Sequence, residues 1–458
     1  MQKHEGTIDN KKATLELGTR PIGKLLLQYS LPAIIAMSAA SLYNIIDRIF
    51  IGQIVGADAI AGLAITFPFM NLGAAFGAAV GVGASTSISV KLGQKDYNTA
   101  EKILGNTVTL NLIIGLSYSM ICLLFLTPIL RFFGASDATL PYARSFMQIL
   151  LLGNVFSHMY FGMNAVLRAA SKPRSAMAAT IFTVFMNIFL DAVFILWLHW
   201  GIRGAALATV TSQTLALCWQ MYLFADKSQM LHLRRGIYRL DSYLVKMILS
   251  IGVSPFLMNV CACVVVIFVN HQLVRYGGDM AVGAYGISNA IATIFAMFVM
   301  GLNQGMQPIA GYNYGAQNAE RVIRVLNLSI IAATAIMTVG WFIAQLAPQL
   351  VARMFTHDAR LITFAQKAIR LNMLVVPVIG FQMVVTNFFQ CIGKVKISIF
   401  LSLSRQLLLL LPLLAILPRF FGLDGVWYSL PGSDASAAVI AFIVITSYMR
   451  KFKKQIHG

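Results

Sequence analysis

Long apolar runs separated by short polar loops dominate the chain. Twelve of these runs are long enough to cross the ~30 Å hydrocarbon core of a bilayer as α-helices. The predicted helices cover 25–51, 59–84, 104–128, 141–166, 176–198, 203–224, 243–270, 281–306, 323–346, 366–390, 397–417 and 425–448. The pattern therefore predicts an all-α integral membrane protein with twelve transmembrane helices.

Composition supports a membrane environment. Apolar residues make up 58% of the chain and charged residues 11%, whereas soluble domains carry about 25% charged residues. The net charge of +19 would gather on one face in a nucleic-acid-binding protein. Here the basic residues lie in short loops instead, so we expect the lipid bilayer as a partner and no nucleic acid.

The distribution of Lys and Arg predicts the orientation. With a cytoplasmic N-terminus, 24 of these residues fall on the inner side, 9 on the outer side, and Arg48 and Arg405 within spans. Cytoplasmic loops carry such an excess of positive charge, so both termini are expected in the cytoplasm. The first 20 residues lack the apolar core of a signal peptide, so the first run is expected to be a retained span.

The two halves of the chain repeat one another. Ordered matches occur at a nearly constant offset of 221 to 223 residues, and the matched pairs are Pro32 with Pro255, Ile65 with Ile287, Gly83 with Gly305, Gly93 with Gly315 and Gly201 with Gly422. The segment Ala100-Glu101-Lys102 matches Ala319-Glu320-Arg321 if three residues are deleted. Such an ordered series indicates a duplicated unit.

Each repeat contains six helices, an even number, so the two repeats enter the membrane in the same orientation. Parallel repeats of this kind bind substrate between their halves, so we expect two six-helix lobes around a central cleft. The predicted organisation is a cytoplasmic tail 1–20, an N-lobe 21–225, an inter-lobe linker 226–242, a C-lobe 243–449 and a basic cytoplasmic tail 450–458. We expect a monomer.

Three acidic residues fall within predicted spans: Asp47, Asp191 and Asp434. Charged groups at this depth are costly and mark functional sites. Asp47 and Asp191 both lie in the outer half of the N-lobe, and Asn187 shares a helix face with Asp191. Thr209 lies at a similar depth.

These four residues offer oxygen ligands for a small hard cation such as Na⁺. Alternatively, two close carboxylates form a proton carrier. In a purely structural reading, the carboxylates pair with local groups such as Arg48.

The remaining polar candidates lie elsewhere in the spans. Arg405 either holds an anionic substrate group or pairs with Asp434, which follows Pro431-Gly432 in helix 12. Met37, close to the Pro32 bend, and Tyr43 are candidates for lining an adaptable substrate cavity.

The sequence contains neither a catalytic constellation nor a phosphate-binding G-x-x-x-x-G-K-[ST] loop. We therefore expect no enzyme and no cofactor. Transport driven by an ion gradient is the prediction that remains.

Several segments together resemble multidrug and toxic compound extrusion (MATE) transporters of the bacterial type. They are Tyr43-Asn44-Ile45-Ile46-Asp47, Phe50-Ile51-Gly52, Ala59-Ile60-Ala61-Gly62, Arg168-Ala169-Ala170-Ser171-Lys172-Pro173, Asn187-Ile188-Phe189-Leu190-Asp191 and Gly204-Ala205-Ala206-Leu207-Ala208-Thr209. The resemblance extends from about Arg20 to Tyr448, including the 6+6 plan.

The resemblance implies efflux of cationic and amphipathic drugs from the bacterial plasma (inner) membrane, by antiport with H⁺ or Na⁺. It also implies a cation-coupling cluster of Asp47, Asn164, Asn187, Asp191 and Thr209. One branch of the family carries further acids on helices 7 and 10. Neither predicted helix contains Asp or Glu here, which favours coupling through the N-lobe.

Two other functions remain open. A flippase for a lipid-linked or anionic metabolite would line its cavity with basic residues, and only Arg48 and Arg405 lie within spans. A non-transporting scaffold or receptor would leave the membrane carboxylates without a role.

Overall fold

The structure is a computed structural model that describes residues 14–51, 54 and 57–457. Helices make up nearly all of this part of the chain. In chain order they are α1 (Ile22–Phe50), α2 (Ala57–Gly93), α3 (Tyr97–Leu124), α4 (Leu140–Ala169), α5 (Pro173–Asp191, continued by the π-helix Ala192–Trp197), α6 (Gly201–Ala225), α7 and α8 (the two arms of Ser242–Gly315), α9 (Ala319–Leu346), α10 (Ala359–Asn372 and Val376–Cys391), α11 (Val395–Leu403, the π-helix Ser404–Leu410 and Leu411–Phe421) and α12 (Leu423–His457). Two short helices, Leu126–Phe132 and Pro348–Arg353, follow α3 and α9.

The helices account for the twelve predicted spans. Nine described helices are long and apolar enough to cross a membrane, or ten if the bent pair in α10 counts as one span. The 74-residue stretch Ser242–Gly315 holds two spans, because Gly278 (φ 64°, ψ −166°) breaks it into arms 242–277 and 279–315. Residues Gly201–Ala225 form the remaining helix, which is richer in Thr, Ser and Gln.

Three predicted spans differ in shape from the structure. The predicted helices 243–270 and 281–306 continue into one another through Gly278 instead of being separated by a loop. The predicted helix 366–390 is two helices that meet at a 50° bend. Pro377 lies in the first turn of the second helix, where a missing N–H costs least, so the break falls just before it.

The internal repeat is visible in the backbone. Residues with left-handed φ recur at the predicted offset, and the pairs are Lys95 with Gln317, Ser171 with Gly393, and Gly201 with Gly422. Asp96 and Asn318, 222 apart, cap α3 and α9 in the same way, each accepting a hydrogen bond from the backbone N–H three residues later. The predicted three-residue deletion in this loop is therefore wrong, and Glu101 corresponds to Ile323 instead of Glu320.

The described residues pack into two compact units. Unit 1 contains the described residues up to Arg20 together with Leu31–Phe256, and unit 2 contains Pro21–Ser30 together with the chain from Leu257 onward. The linker and the first turns of α7 therefore pack within unit 1. The predicted lobe boundaries follow the sequence repeat, and they stay a prediction.

The linker is held on α3 by one buried amide. Asn106 Nδ2 donates to the carbonyl oxygens of Ile237 (3.4 Å) and Arg239 (3.2 Å), and Asn106 Oδ1 accepts from the Asp241 N–H at 2.9 Å. One residue earlier, a Cβ at Gly105 would lie 2.3 Å from the Ile237 carbonyl oxygen. Only glycine lets the linker backbone approach α3 this closely.

Ionic contacts reinforce this attachment. The Glu101 carboxylate contacts His232 Nδ1 at 3.1 Å and Arg234 Nε at 2.9 Å. At the start of the linker, hydrogen bonds from Ser228 and Gln229 lower the pKa of Asp226 to about 2. Its carboxylate is thus ionised at physiological pH and fixes the first linker turn.

Small residues bring α2 against its neighbours. A Cβ at Gly81 would lie 3.1 Å from Gly162 Cα on α4, and one at Gly77 would lie 3.4 Å from the His158 ring. A Cβ at Gly73 would lie 3.2 Å from Tyr118 on α3. Small residues at four-residue spacing thus let α2 pack closely against α3 and α4.

Candidate cation-coupling site

Two polar side chains of α5 point into the interior of unit 1. Asn187 and Asp191 lie one turn apart and share a helix face, and they are 1% and 0% exposed. Phe185 and Phe189 occupy the opposite face and are 70% and 59% exposed. The apolar face of α5 therefore points outward, and its polar face points into the helix bundle.

The first helix brings a second carboxylate to this polar face. Asp47, near the end of α1, is buried, and its carboxyl group lies close enough to that of Asp191 to act on it electrostatically. Ionised carboxylates only accept hydrogen bonds. A proton or a cation stabilises two carboxyl groups that lie close together. The predicted proximity of Asp47 and Asp191 is present.

The sixth helix adds a hydroxyl group. Asn187 Nδ2 donates to Thr209 Oγ1 at 3.4 Å, and Thr209 Oγ1 donates to the Ala205 carbonyl oxygen at 3.1 Å. This contact leaves the carbonyl oxygen of the Asn187 amide facing elsewhere. Three helices thus converge on one cluster of oxygen atoms.

Several of these oxygens have no donor within the described part of the chain. Asp191 Oδ1, Asp191 Oδ2 and Asn187 Oδ1 are fully buried and accept no hydrogen bond there. An unsatisfied buried acceptor costs about 1–3 kcal/mol, and more if it is charged. Carboxylate, amide and hydroxyl oxygens are the ligands of hard cations, so the cluster fits Na⁺ as well as a proton.

A change of helix type follows immediately after Asp191. Residues Ala192–Trp197 form a π-helix, a wider turn that is often found at functional sites. The regular α-helical hydrogen bonding of α5 ends at Asp191, and the side chains beyond it point in changed directions. Apolar periodicity gives no signal for a π-helix, so this segment was not predicted from the sequence.

Unit 2 contains a different charged site. Arg405, on the π-helix Ser404–Leu410 of α11, donates from Nε to Asp434 Oδ1 of α12 at 2.7 Å. The two side chains are 29% and 10% exposed. Of the two roles considered for Arg405, pairing with Asp434 is present, while substrate binding by either residue stays a prediction.

Tyr285 on α8 completes this second site. Its hydroxyl interacts electrostatically with both Asp434 and Arg405. Beside Arg405, the amide oxygen Oε1 of Gln406 is buried without a donor among the described residues. Neither residue was predictable from the sequence, because a tyrosine and a glutamine in apolar helices carry no specific signal.

Comparison with known proteins identifies the chain. The MatE family model matches residues 32–193 and 251–416, which is well over half of its length. The chain belongs to the MATE family. The first matched segment contains Asp47 and Asp191, and the second contains Arg405.

Relatives cover the chain almost completely. The multidrug export protein MepA of Staphylococcus haemolyticus is 28% identical over 93% of this chain and 94% of its own length. MepA of Staphylococcus aureus is 26% identical over the same shares. A solved outward-facing multidrug resistance MATE transporter superposes with a TM-score of 0.90 at 25% identity, covering 96% of this chain and 98% of the other. The twelve-helix, two-repeat MATE fold is therefore confirmed.

One residue that the MATE resemblance assigns to the cluster is engaged in other contacts. Asn164, on α4, donates from Nδ2 to the Ala176 carbonyl oxygen at 3.0 Å and to Thr180 Oγ1 at 3.3 Å. Its Oδ1 accepts from Arg168 Nη1 at 2.5 Å. Asn164 thus joins α4 to α5 near Arg168, and its part in cation coupling stays a prediction.

Other candidates on α1 are only partly described. Met37 is half-buried, and its carbonyl oxygen accepts a hydrogen bond from Ser41 Oγ at 3.1 Å. The side chains of Tyr43 and Arg48 lie outside the described residues. The cavity role of Met37 and Tyr43 stays a prediction, as does pairing of Arg48 with Asp47.

Proposed function

We propose that this MATE protein is a multidrug efflux antiporter that couples export to entry of H⁺ or Na⁺ through Asp47 and Asp191. The observation that carries the proposal is the buried meeting of these two carboxyl groups, with both Asp191 oxygens lacking a donor among the described residues. The export function of the MepA relatives supports it.

The coupling follows from the charge of the site. Without a bound cation, two buried carboxylates repel one another in a medium of low dielectric constant. A cation that neutralises them stabilises the conformation in which the site is closed to water. A driving ion acts only through its different affinity for two conformations of the transporter. Release of the cation on the opposite side of the membrane therefore favours return to the starting conformation.

The carboxylates also suit the proposed substrates. A cationic amphipathic drug replaces the coupling ion as counter-charge for Asp47 or Asp191, while its apolar part contacts Met and Phe side chains of the cavity. The two ligands then compete for one charge, which is the simplest form of antiport. No enzymatic step and no cofactor enters this scheme.

We further propose a monomer in the bacterial plasma (inner) membrane, with both termini in the cytoplasm. The supporting observation is the excess of Lys and Arg in loops on the side of the N-terminus. Export then runs from the cytoplasmic side outward, against inward movement of the driving ion.

The flippase alternative receives less support. It requires basic side chains that are available to an anionic substrate, and Arg405 already donates to Asp434. The scaffold alternative is excluded if transport is measured.

The test is drug efflux by vesicles under an imposed H⁺ or Na⁺ gradient. We expect wild type to respond to one gradient, and Asp47→Asn and Asp191→Asn each to lose at least about tenfold of that response, equivalent to 1.4 kcal/mol. Asp137→Asn is the matched control, since Asp137 is an exposed loop residue. Unchanged gradient-driven efflux in both carboxylate variants would refute coupling through this site, and a wild type that ignores both gradients would refute antiport.

A further inference from the structure

Polar side chains continue from the carboxylate pair further into unit 1. The Asn187 and Thr209 side chains join α5 to α6 at 3.4 Å. One helical turn away, on the side opposite to Asp191, the same helix faces carry Thr183 and Gln213. These two side chains are 6% and 7% exposed, so they lie in the interior of the helix bundle.

The fourth helix adds a hydroxyl group at this position. Ser157 Oγ donates to Gln213 Oε1 at 2.5 Å. One turn earlier, a Cβ at Gly153 would lie 2.3 Å from Val210 Cγ1, so α4 and α6 are in close contact over a full turn. Ser157, Thr183 and Gln213 therefore bring one polar side chain each from α4, α5 and α6, and we call this group the Gln213 level.

A ring contact fixes the register of α5 against α6. The rings of Phe182 on α5 and Trp219 on α6 lie 6.1 Å apart. Residue numbers on α5 thus fall as those on α6 rise, from the amide–hydroxyl contact described above to this ring contact. Thr183 and Gln213 both lie between the two contacts, so they face each other across the α5–α6 interface.

The sequence repeat supports the same pairing. The offset between the repeats is 222 just before α5 and 221 at the start of α6. At these offsets, Thr183 corresponds to Arg405 and Gln213 corresponds to Asp434. Arg405 and Asp434 are in contact at 2.7 Å in unit 2. Unit 2 thus occupies this level with its own ion pair, whereas unit 1 has neutral side-chain oxygens there.

An amide oxygen lies between the Gln213 level and the carboxylate pair. Asn187 follows Thr183 by one turn on the same face of α5 and precedes Asp191 by one turn. Its Nδ2 donates to Thr209, while its Oδ1 is buried and accepts no hydrogen bond from the described residues. Such oxygens are ligands of hard cations, so Asn187 connects the two sites by a series of oxygen atoms.

A fixed positive charge limits this series on its far side. Arg168 lies three turns beyond Ser157 on α4, where its Nη1 donates to Asn164 Oδ1. Like charges repel. A cation that moves away from the carboxylates is therefore more stable at the Gln213 level than at positions closer to Arg168.

We propose that the Gln213 level is a second binding site for the driving cation, which occupies it after leaving Asp47 and Asp191 on its way inward. The assignment rests on the proposed function. Neutral hydroxyl and amide oxygens bind Na⁺ or hydronium without a full opposing charge, and an ion in transit needs sites that it can leave again. The step from Asn187 to this level is one helical turn, about 5.4 Å.

The test compares two kinds of drug transport in proteoliposomes containing the full-length protein. The double variant Ser157→Ala/Gln213→Leu removes both partners of one hydrogen bond, so neither is left without the other. Under the H⁺ or Na⁺ gradient that drives wild type, its initial rate of drug accumulation should fall about tenfold or more. Exchange of internal for external drug without a gradient should stay within about twofold of wild type, which also shows that the variant is folded.

Ion binding at the carboxylates provides a separate readout. The driving ion, added as NaCl or by lowering the pH, should raise the Tm of the detergent-purified double variant as much as that of wild type, because Asp47 and Asp191 still bind it. Asp191→Asn should lose this Tm shift. A loss of the shift in the double variant would overturn the proposal, because the Gln213 level would then be part of the carboxylate site.

The matched control is Thr214→Val. Thr214 follows Gln213 on α6, is likewise not exposed, and donates to the Val210 carbonyl oxygen of its own helix at 2.7 Å. Adjacent helical residues point about 100° apart, so Thr214 lies outside the Gln213 level and its variant should behave as wild type. Equal losses in Thr214→Val and the double variant would overturn the proposal by showing a general disturbance of α6.

Two further outcomes would overturn the proposal. Full accumulation in the double variant, with accumulation lost in Asp191→Asn, would show that the ion needs no second site. Equal losses of accumulation and exchange would show that Ser157 and Gln213 contact the drug. Failure of the proposed function itself has a different signature, because Asp191→Asn would then keep its gradient-driven accumulation.

Discussion

The two units of this protein treat buried charge in opposite ways. In unit 1, Asp47 and Asp191 meet as like charges, and the oxygens of Asp191 have no donor among the described residues. In unit 2, Arg405 and Asp434 meet as opposite charges at 2.7 Å. Both sites adjoin a π-helical segment. The local backbone geometry is therefore similar in the two sites, while the paired charges differ in sign.

The difference separates the proposed ion-binding site of unit 1 from the ion pair of unit 2. A buried pair of opposite charges is neutral by itself and gains nothing from an external ion. A buried pair of carboxylates is stabilised by a cation, so its energy changes when a cation binds or leaves. We therefore assign the proposed ion coupling to unit 1.

The largest expected effect on stability comes from breaking the ion pair of unit 2. Arg405→Leu should lower the free energy of unfolding by about 2 kcal/mol, somewhat less than the 3–5 kcal/mol of a fully buried pair, because Arg405 is partly exposed. Thermal unfolding in detergent measures it. The double variant Arg405→Leu/Asp434→Leu should recover most of the loss. Additive losses in the double variant would mean that the two charges are not coupled.

A second effect concerns the linker, which packs on α3 within unit 1. Gly105→Ala places a Cβ against the backbone of Ile237, and overpacking of this kind costs about 1–3 kcal/mol. The Tm should fall, and tryptic cleavage after Arg234 and Arg235 should become faster. Gly23→Ala is the matched control, because a Cβ there meets nothing within 4 Å. Equal effects of the two substitutions would contradict docking of the linker at Gly105.

The contrast between the units predicts a stability change of opposite sign in unit 1. Asp191→Asn removes one of two like charges, so the cation-free protein should gain about 1 kcal/mol. The measurement is the Tm at low Na⁺ and alkaline pH, where little H⁺ or Na⁺ is available to the native carboxylates. A loss of stability comparable to that of Arg405→Leu would mean that Asp191 serves as a structural ion-pair partner.

The smallest effect is expected at the hydroxyl ligand. Thr209→Ala removes one neutral oxygen, which is worth about 1 kcal/mol, so the half-saturating concentration of the driving ion should rise severalfold. Thr209→Ser keeps the hydroxyl and should remain close to wild type. If both variants match wild type, Thr209 lies outside the coupling site.

Much of the architecture could be predicted from the sequence. Apolar run lengths gave the spans, and ordered matches such as Gly83 with Gly305 gave the repeat. Matches of short segments were less dependable: Ala100-Glu101-Lys102 suggested a deletion that the helix caps at Asp96 and Asn318 exclude. Backbone geometry preserves register better than chemically similar side chains do.

The candidate site was predictable to the extent that charge in an apolar span stands out. This rule found Asp47, Asp191, Arg405 and Asp434. It could not find the π-helices, because they depend on packing between helices instead of composition. Nor could it distinguish a carboxylate pair from an ion pair, since that depends on which helices become neighbours.

The most direct test of the central claim separates coupling from substrate movement in Asp191→Asn. Proteoliposomes loaded with drug measure exchange of internal for external drug without an ion gradient, and the same preparation measures accumulation driven by H⁺ or Na⁺. We predict that Asp191→Asn retains exchange while losing gradient-driven accumulation. Accumulation that remains coupled to the gradient in this variant would contradict the assignment of ion coupling to unit 1.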